Sequence, residues 1–250
     1  MNGPHRESVT AADGLPLLAL TMGDPAGIGP ELLSLALQPG SSPVPCLPLL
    51  IGNLEVLNRA AQLQNVPLPL EPLECSNVSV AEFRQRVQAI TQRQRIACTD
   101  PTRLETAAVL PGVISAAGGD AAFRCLELAA DLTLSGHADA IVTAPLNKEA
   151  LHLAGHNYPG HTEILAERCG VNEFAMMLHL PETALAPLRR LLLNRTTAAP
   201  LPTAHGLSIA HVTLHTSVAS VPGLLTPNAV TATVRLMHEF LGSINCPRRS

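Results

Sequence analysis

Residues 15–33 read LPLLALTMGDPAGIGPELL. The first eight residues form a short apolar run, which favours a buried strand. A glycine-rich turn follows from Gly23 to Gly29, and Pro30 with Glu31 then opens a segment whose apolar residues recur at helical spacing. The stretch therefore predicts a strand, a loop and a helix in succession, which is the unit from which parallel α/β domains are built.

The same alternation continues along the chain. Its predicted strands are Leu47–Ile51, Ala138–Thr143, Phe174–Leu180 and Leu207–His215. Its predicted helices are Leu54–Leu63, the segment 121–136 capped by Gly118-Gly119-Asp120, Lys148 to Gly155, Thr162–Cys169, and a helix from the cap Thr226 to Phe240. Residues 80–94 (VAEFRQRVQAITQRQ) fit either a helix or a short strand. The sequence thus predicts an α/β fold with a parallel or mixed sheet flanked by helices.

Composition narrows the class of protein. With 46% hydrophobic and 14% charged residues, the 250-residue chain is not a disordered one. A net charge of −4 gives no electrostatic reason to expect a nucleic acid or an anionic membrane as partner. No apolar run approaches the length of a membrane span. Six cysteines without a CxxC pair, and no secretory signal, predict a cytoplasmic protein with free thiols.

Three segments fall outside the α/β pattern. Residues 1–14 are polar and predict a disordered N-terminal tail, and residues 242–250 predict a second tail. Residues 181–206 are rich in Pro, Ala, Thr and Arg without a stable period, which indicates an insertion. The region 15–241 is expected to hold the fold, and its pattern does not locate a boundary between lobes.

Two loops that follow predicted strands could bind an anion. GDPAGIGPE (23–31) could offer backbone N–H groups at a helix start, although a tight strand-to-helix turn explains it equally well. In TAPLNK (143–148), Asn147 and Lys148 could hold a phosphate or carboxylate at the carboxyl edge of the sheet. A solvent-exposed lysine at a helix start is the simpler interpretation, yet Lys148 is the chain's only lysine.

The stretch YPGHTEIL (158–165) carries a third candidate. Thr162 could cap a helix, which would place His161 beside the exposed N–H groups of its first turn. A phosphate could then bind both side chains, and the alternative is a capping turn that contains a histidine by chance. His156 belongs to the preceding glycine-rich turn. His211 and His215 would share one face of a predicted strand, where either could be a metal ligand or a structural histidine.

In their order along the chain, these segments resemble the 4-hydroxythreonine-4-phosphate dehydrogenase family. The resemblance rests on LTMGDPAGIGPELL, PGVISAAGGDAAF, ADAIVTAPLNKEALHLAGHNYPGHTEILAE, FAMML and HVTLHTSVASVPGLLT. It spans about 15–180 and 207–241, and TAPLNKEAL and YPGHTEIL are most similar to the branch that decarboxylates D-threonate or D-erythronate 4-phosphate. It implies a two-lobed fold similar to that of the isocitrate and isopropylmalate dehydrogenases, incomplete here at the C-terminus.

The resemblance also implies a chemistry and a set of site residues. The reaction would be an NAD-dependent and divalent-metal-dependent oxidative decarboxylation of a four-carbon hydroxy-acid phosphate, carried out by a homodimer. His161 and Thr162 would bind the phosphorylated substrate, and His215 would be the first metal ligand. Lys148 would have a substrate-binding or structural role.

The sequence departs from the family pattern after the helix that ends near Phe240. The family's second and third metal histidines lie in Asn-Pro-His-Ala-Gly and His-Asp-Gln-Gly motifs, and neither motif occurs here. Two interpretations therefore stay open. The chain is a dehydrogenase of this family, or it is a C-terminally truncated, catalytically inactive member that acts at most as a phosphate-binding or partner-binding remnant.

Overall fold

The structure, a computed structural model, describes residues 14–41, 45–181, 184–185 and 206–244. Most of the expected N-terminal tail, most of the expected insertion at 181–206 and the end of the chain after residue 244 lie outside these ranges. The chain divides into two compact units, Met1–Val171 and Asn172–Ser250. No helix within the described ranges is long and apolar enough to cross a lipid bilayer.

The first unit is built on a five-stranded parallel sheet. Its strands are β1 (Leu17–Thr21), β2 (Leu47–Ile51), β3 (Leu70–Pro72), β4 (Ile96–Thr99) and β5 (Ala140–Thr143). Their order across the sheet is β3-β4-β2-β1-β5. The predicted α/β class is therefore confirmed, and the second strand has the predicted bounds.

Six helices and one 3₁₀ turn accompany these strands among the described residues of the first unit, and the last two helices follow β5. They are α1 (Gly29–Ala36), α2 (Leu54–Leu63), α3 (Val80–Gln92), the 3₁₀ turn Leu104–Ala108, α4 (Ala116–Leu134), α5 (Lys148–Leu153) and α6 (His161–Arg168). The ambiguous segment 80–94 is a helix, because Ser79 caps it and Phe83, Val87 and Ile90 lie buried at helical spacing.

Helix α4 begins earlier than the sequence predicts. The Ser115 hydroxyl accepts a hydrogen bond from the Gly118 N–H at 3.2 Å, so the helix starts at Ala116. The predicted cap at Gly118-Gly119-Asp120 is therefore wrong, and both glycines lie inside the helix. They are needed for packing, since a Cβ on Gly119 would overlap the backbone carbonyl of Ala150 in α5.

The core of the first unit surrounds the middle strands. β4 is buried at every residue, and β1 and β2 are buried at all but one residue each. Such uninterrupted apolar strands are typical of a parallel sheet covered by helices. β5 differs, because it is an edge strand in which Val142 is 46% exposed.

The second unit contains a pair of antiparallel strands, unlike the parallel sheet of the first unit. β6 (Met177–Leu180) and β7 (Leu207–Ala210) are antiparallel, and α7 (Val221–Leu224) and α8 (Pro227–Ser243) follow. Thr226 caps α8 as predicted, accepting a hydrogen bond from the Ala229 N–H at 3.1 Å. None of the unit's described residues is buried, in contrast to the first unit.

The predicted strand Leu207–His215 is too long. β7 ends at Ala210, which pairs with Met177 at the start of β6. The His211 N–H still donates to the Met176 carbonyl at 3.0 Å, but β6 does not extend further to continue the ladder. His211 and His215 therefore do not share the face of a strand.

Replacing Gly119 with alanine should destabilise the first unit. The added Cβ would push α4 away from α5, and overpacking of this kind costs about 1–3 kcal/mol in free energy of unfolding. Urea denaturation followed by tyrosine fluorescence measures this, since Tyr158 is the only tyrosine and the chain has no tryptophan.

Gly242→Ala is the matched control, because Gly242 is also helical and a Cβ there has no atom within 4 Å. It should leave the tyrosine transition unchanged. Equal stability of Gly119→Ala and wild type would show that α4 and α5 are not in close contact.

Candidate functional site

The sheet changes its direction of growth at β1. β2, β4 and β3 lie in that order on one side of β1, and β5, the last of the five in the chain, pairs with β1 on the other side. In open parallel sheets, ligands bind at the carboxyl ends of the strands on either side of such a switch point. The loops that leave β1 (22–28) and β5 (144–147) meet at this place.

These two loops are in backbone contact. Gly23 has a φ of +71°, and a Cβ at that position would overlap the Pro145 carbonyl oxygen. The Asp24 N–H donates to the same oxygen at 2.9 Å. A Cβ on Gly29 would overlap the Met22 carbonyl and lie 3.0 Å from the Cβ of Ala144. The glycines of GDPAGIG thus permit close packing, which favours the tight-turn interpretation of this motif.

Asp24 is a buried carboxylate that the sequence interpretation missed. The side chain is 4% exposed, and its Oδ1 accepts a hydrogen bond from the Ala26 N–H at 2.9 Å. Burial raises the pKa of this carboxyl, and the Ala26 bond partly opposes the rise. A Cβ on Gly118 would lie 2.9 Å from that Oδ1, so the carboxyl group lies against the first turn of α4. The only sequence signal was an aspartate in the turn directly after a strand.

His161 is the first residue of α6. The N-cap is Gly160, whose φ of 173° is extended, and no side-chain hydrogen bond caps this helix start. The prediction that Thr162 is the cap is therefore wrong: Thr162 is the second residue of the helix. Backbone N–H groups in an uncapped first turn have no intrahelical acceptor, which favours an anion there.

The His161 ring points at the loop after β5. Its Nε2 lies 3.2 Å from the Ala144 carbonyl oxygen, and because a carbonyl can only accept, Nε2 carries the hydrogen. Burial lowers the pKa of His161, with the Ala144 bond opposing in part. The ring is therefore neutral at pH 7, and its Nδ1 is an acceptor.

Lys148 lies on the same side of the sheet. It is exposed at the start of α5, and its Cε lies 3.9 Å from the position that a Cβ of Gly160 would occupy. The Glu163 Oε2 lies 3.8 Å from that position. Asn147 does not present its side chain as a ligand group, because its Oδ1 caps α5 by accepting from the Ala150 N–H at 3.0 Å. Three predicted residues therefore lie near one another at the start of α6: His161, Thr162 and Lys148.

His215, the predicted metal ligand, belongs to the second unit. It is exposed, has a φ of +48° and lies in the loop after β7. Within the described part of the chain there is no group of three or more His, Cys, Asp or Glu side chains that could hold a metal ion.

Comparisons with known proteins identify the family of this chain. The family model described as "Pyridoxal phosphate biosynthetic protein PdxA" matches residues 45–249. The chain is 35% identical over 235 residues to a 4-hydroxythreonine-4-phosphate dehydrogenase of Trichlorobacter lovleyi, covering 94% of this chain and 60% of that protein. It is 36% identical over 240 residues to a D-threonate 4-phosphate dehydrogenase of Cupriavidus necator, covering 95% and 61%.

A solved structure also matches. The crystal structure of a 4-hydroxythreonine-4-phosphate dehydrogenase from Klebsiella pneumoniae superposes with a TM-score of 0.69 at 31% identity, covering 91% of this chain and 58% of that one. The chain therefore spans about three fifths of the length of these relatives.

The neutral state of His161 should make stability depend on pH. Its folded pKa lies below the unfolded value of about 6.5, so the unfolded chain binds the proton more readily. The stability contributed by the neutral ring is fully present above that value and is lost as the pH falls below it.

Urea unfolding of wild type and His161→Gln at pH 7.5 and 5.5 tests this expectation. The wild type should lose more stability on acidification than the variant. An equal loss in both proteins would mean that His161 is not buried against Ala144 in the neutral form.

Proposed function

We propose that this chain, which belongs to the pyridoxal phosphate biosynthetic protein PdxA family, binds the phosphate group of a phosphorylated hydroxy acid at the start of α6. The observation that supports this most directly is the position of His161, at an uncapped helix start and bonded to the loop after β5. Thr162 adds a hydroxyl in the same helix turn, and Lys148 adds a positive charge nearby.

The site suits a phosphate better than the glycine-rich loop after β1 does. That loop holds the buried carboxyl group of Asp24, whose charged form would repel an anion. At the start of α6, the backbone N–H groups point along the helix axis and attract negative charge. The acidic Glu163 and the basic Lys148 both lie close to Gly160.

The hydrogen bond to Ala144 determines how His161 can contact a phosphate. Since Nε2–H is donated to the carbonyl, Nδ1 can donate to a phosphate oxygen only if the ring takes up a proton. With a neutral ring, Nδ1 can instead accept from a protonated phosphate oxygen. In both cases the complex contains one shared proton, so binding to the phosphate dianion takes up a proton.

For the whole protein we propose an NAD-dependent and divalent-metal-dependent oxidative decarboxylation of a four-carbon hydroxy-acid phosphate. The substrate would be 4-hydroxythreonine 4-phosphate or D-threonate or D-erythronate 4-phosphate. The names of the relatives from Trichlorobacter lovleyi and Cupriavidus necator support this class of substrate. The homodimer and the cytoplasmic location expected from the sequence stay predictions.

The residues described here do not fit a catalytic metal. His215 supplies one imidazole, whereas holding a divalent ion takes three or more ligands. We therefore assign no chemical step to a metal in this chain. Phosphate binding is therefore the part of the function that we assign to the described residues.

Inorganic phosphate should bind in a manner that depends on His161. Removing a hydrogen bond to a charged group costs about 1.5–3 kcal/mol, so His161→Ala should weaken binding by roughly tenfold or more. For wild type, affinity should rise as the pH falls from 8.5 toward 7, because binding takes up a proton, and then level off as free phosphate becomes protonated.

Calorimetric titration at several pH values measures both effects. His211→Ala, a change in the second unit, is the control and should bind as wild type does. Identical weak binding by wild type and His161→Ala would contradict the proposed site.

Turnover is a separate test. Reduction of NAD with D-threonate 4-phosphate or 4-hydroxythreonine 4-phosphate and Mg²⁺, Mn²⁺ or Zn²⁺ should be negligible, because the family's second and third metal-histidine motifs are missing from the sequence. Absorbance at the NADH band measures the rate. Robust turnover that is abolished by His215→Ala would establish the catalytic interpretation instead.

A further inference from the structure

A second histidine holds the loop that leads into α6. The His156 ring stacks on Phe123 of α4, with centroids 3.7 Å apart and planes at 13°. Its Nε2 lies 3.3 Å from the Asp120 Oδ1, and its backbone N–H donates to the Leu151 carbonyl at 3.0 Å. From sequence, His156 was interpreted as a turn residue only. The structure instead shows ring stacking, a side-chain hydrogen bond and a backbone hydrogen bond.

Asp120 is itself fixed from several sides. Its Oδ2 lies 2.6 Å from the Arg124 Nε and 3.3 Å from the Arg103 Nε. Partial burial opposes ionisation, but the hydrogen bonds from Arg124 and His156 and the charges of Arg124 and Arg103 prevail and lower the pKa of Asp120. The carboxylate that holds His156 is thus charged at neutral pH, and it joins the 3₁₀ turn region, α4 and the loop.

The anchoring continues toward His161. The Tyr158 N–H donates to the His156 carbonyl at 3.0 Å, and the Tyr158 ring lies 5.9 Å from the Phe123 ring with planes at 19°. One phenylalanine of α4 therefore contacts the rings of both His156 and Tyr158. Only Pro159 and Gly160 separate Tyr158 from His161. The contacts of Tyr158 therefore restrict where the first residue of α6 can lie.

We propose that His156 is a positioning residue for the phosphate site. By stacking on Phe123 and bonding to Asp120, it holds residues 157–160 so that His161 reaches the Ala144 carbonyl. The functional meaning of this inference rests on the proposed phosphate site. The positioning itself can be measured without any ligand.

The two contacts of His156 can be separated by substitution. His156→Phe keeps a flat ring against Phe123 and removes the bond to Asp120. His156→Gln keeps a hydrogen-bond donor for Asp120 and removes the stacking. His156→Ala removes both, so the loop should lose its fixed position and His161 should become more exposed.

The control is His137→Ala. His137 packs its ring edge-on against Phe83, with centroids 5.3 Å apart, and its Nε2 lies 3.0 Å from the Val78 carbonyl oxygen. It therefore combines a ring contact and a hydrogen bond as His156 does, but it follows the end of α4 that is opposite to the phosphate site. The His137→Ala variant therefore measures the general effect of removing a packed histidine from the first unit at a place away from the phosphate site.

The first measurement is the NMR titration of the His161 ring in the full chain without ligand. His156→Ala should raise the pKa of His161 toward its usual value, because burial against Ala144 is lost, and His137→Ala should not change it. His156→Phe and His156→Gln should each give part of the shift. An unchanged His161 titration in folded His156→Ala, Phe and Gln variants would overturn the proposal, whether or not phosphate binds.

The second measurement is the affinity for inorganic phosphate. His156→Ala should bind roughly tenfold more weakly, since a loosened site must be ordered on binding, while His137→Ala should bind as wild type does. If His156→Ala does not fold, the Phe and Gln variants decide, and both must then weaken binding relative to His137→Ala. The pKa of His161 could rise in His156→Ala while the wild type binds no phosphate. That result would uphold the positioning role of His156 and overturn the proposed function.

Discussion

The close backbone contact between Gly23 and Pro145 is the constraint on which the candidate site depends. It joins the loops after β1 and β5 where the sheet changes its direction of growth, and it leaves no room for a side chain at Gly23. With Pro145 fixed in this way, the neighbouring Ala144 carbonyl is fixed too. That carbonyl is the acceptor for His161, so the geometry of the helix start follows from a glycine more than a hundred residues earlier in the chain.

Much of the first unit could be predicted from the sequence because its signals are local. β2 and α2 have the predicted bounds, since an apolar run and an Asn cap specify them without help from distant residues. That His161 and Lys148 serve one site was implied by the family resemblance. In the structure the Lys148 side chain lies close to Gly160, the residue before His161.

The errors arose where a distant partner decides the structure or where a helix begins a few residues before the predicted cap. β7 ends early because β6 does, and no property of residues 211–215 reveals this. Gly118 and Gly119 lie inside α4 because Ser115 caps the helix three residues before Gly118. Thr162 is not a cap because the extended residue before the helix is Gly160. The contact of His156 with Phe123 and Asp120 likewise joins residues more than thirty positions apart, and residue type alone does not show which histidine of the loop is anchored.

The candidate site also depends on how β5 is hydrogen-bonded to its neighbouring strands. Within the described part of the chain β5 pairs only with β1, and its other edge is exposed. Unpaired strand edges bind further strands readily. Any polypeptide that pairs with that edge would extend the sheet from the strand whose loop accepts His161. Pairing of another polypeptide at that edge would therefore be coupled, through a single strand, to the positioning of the ligand-binding residues.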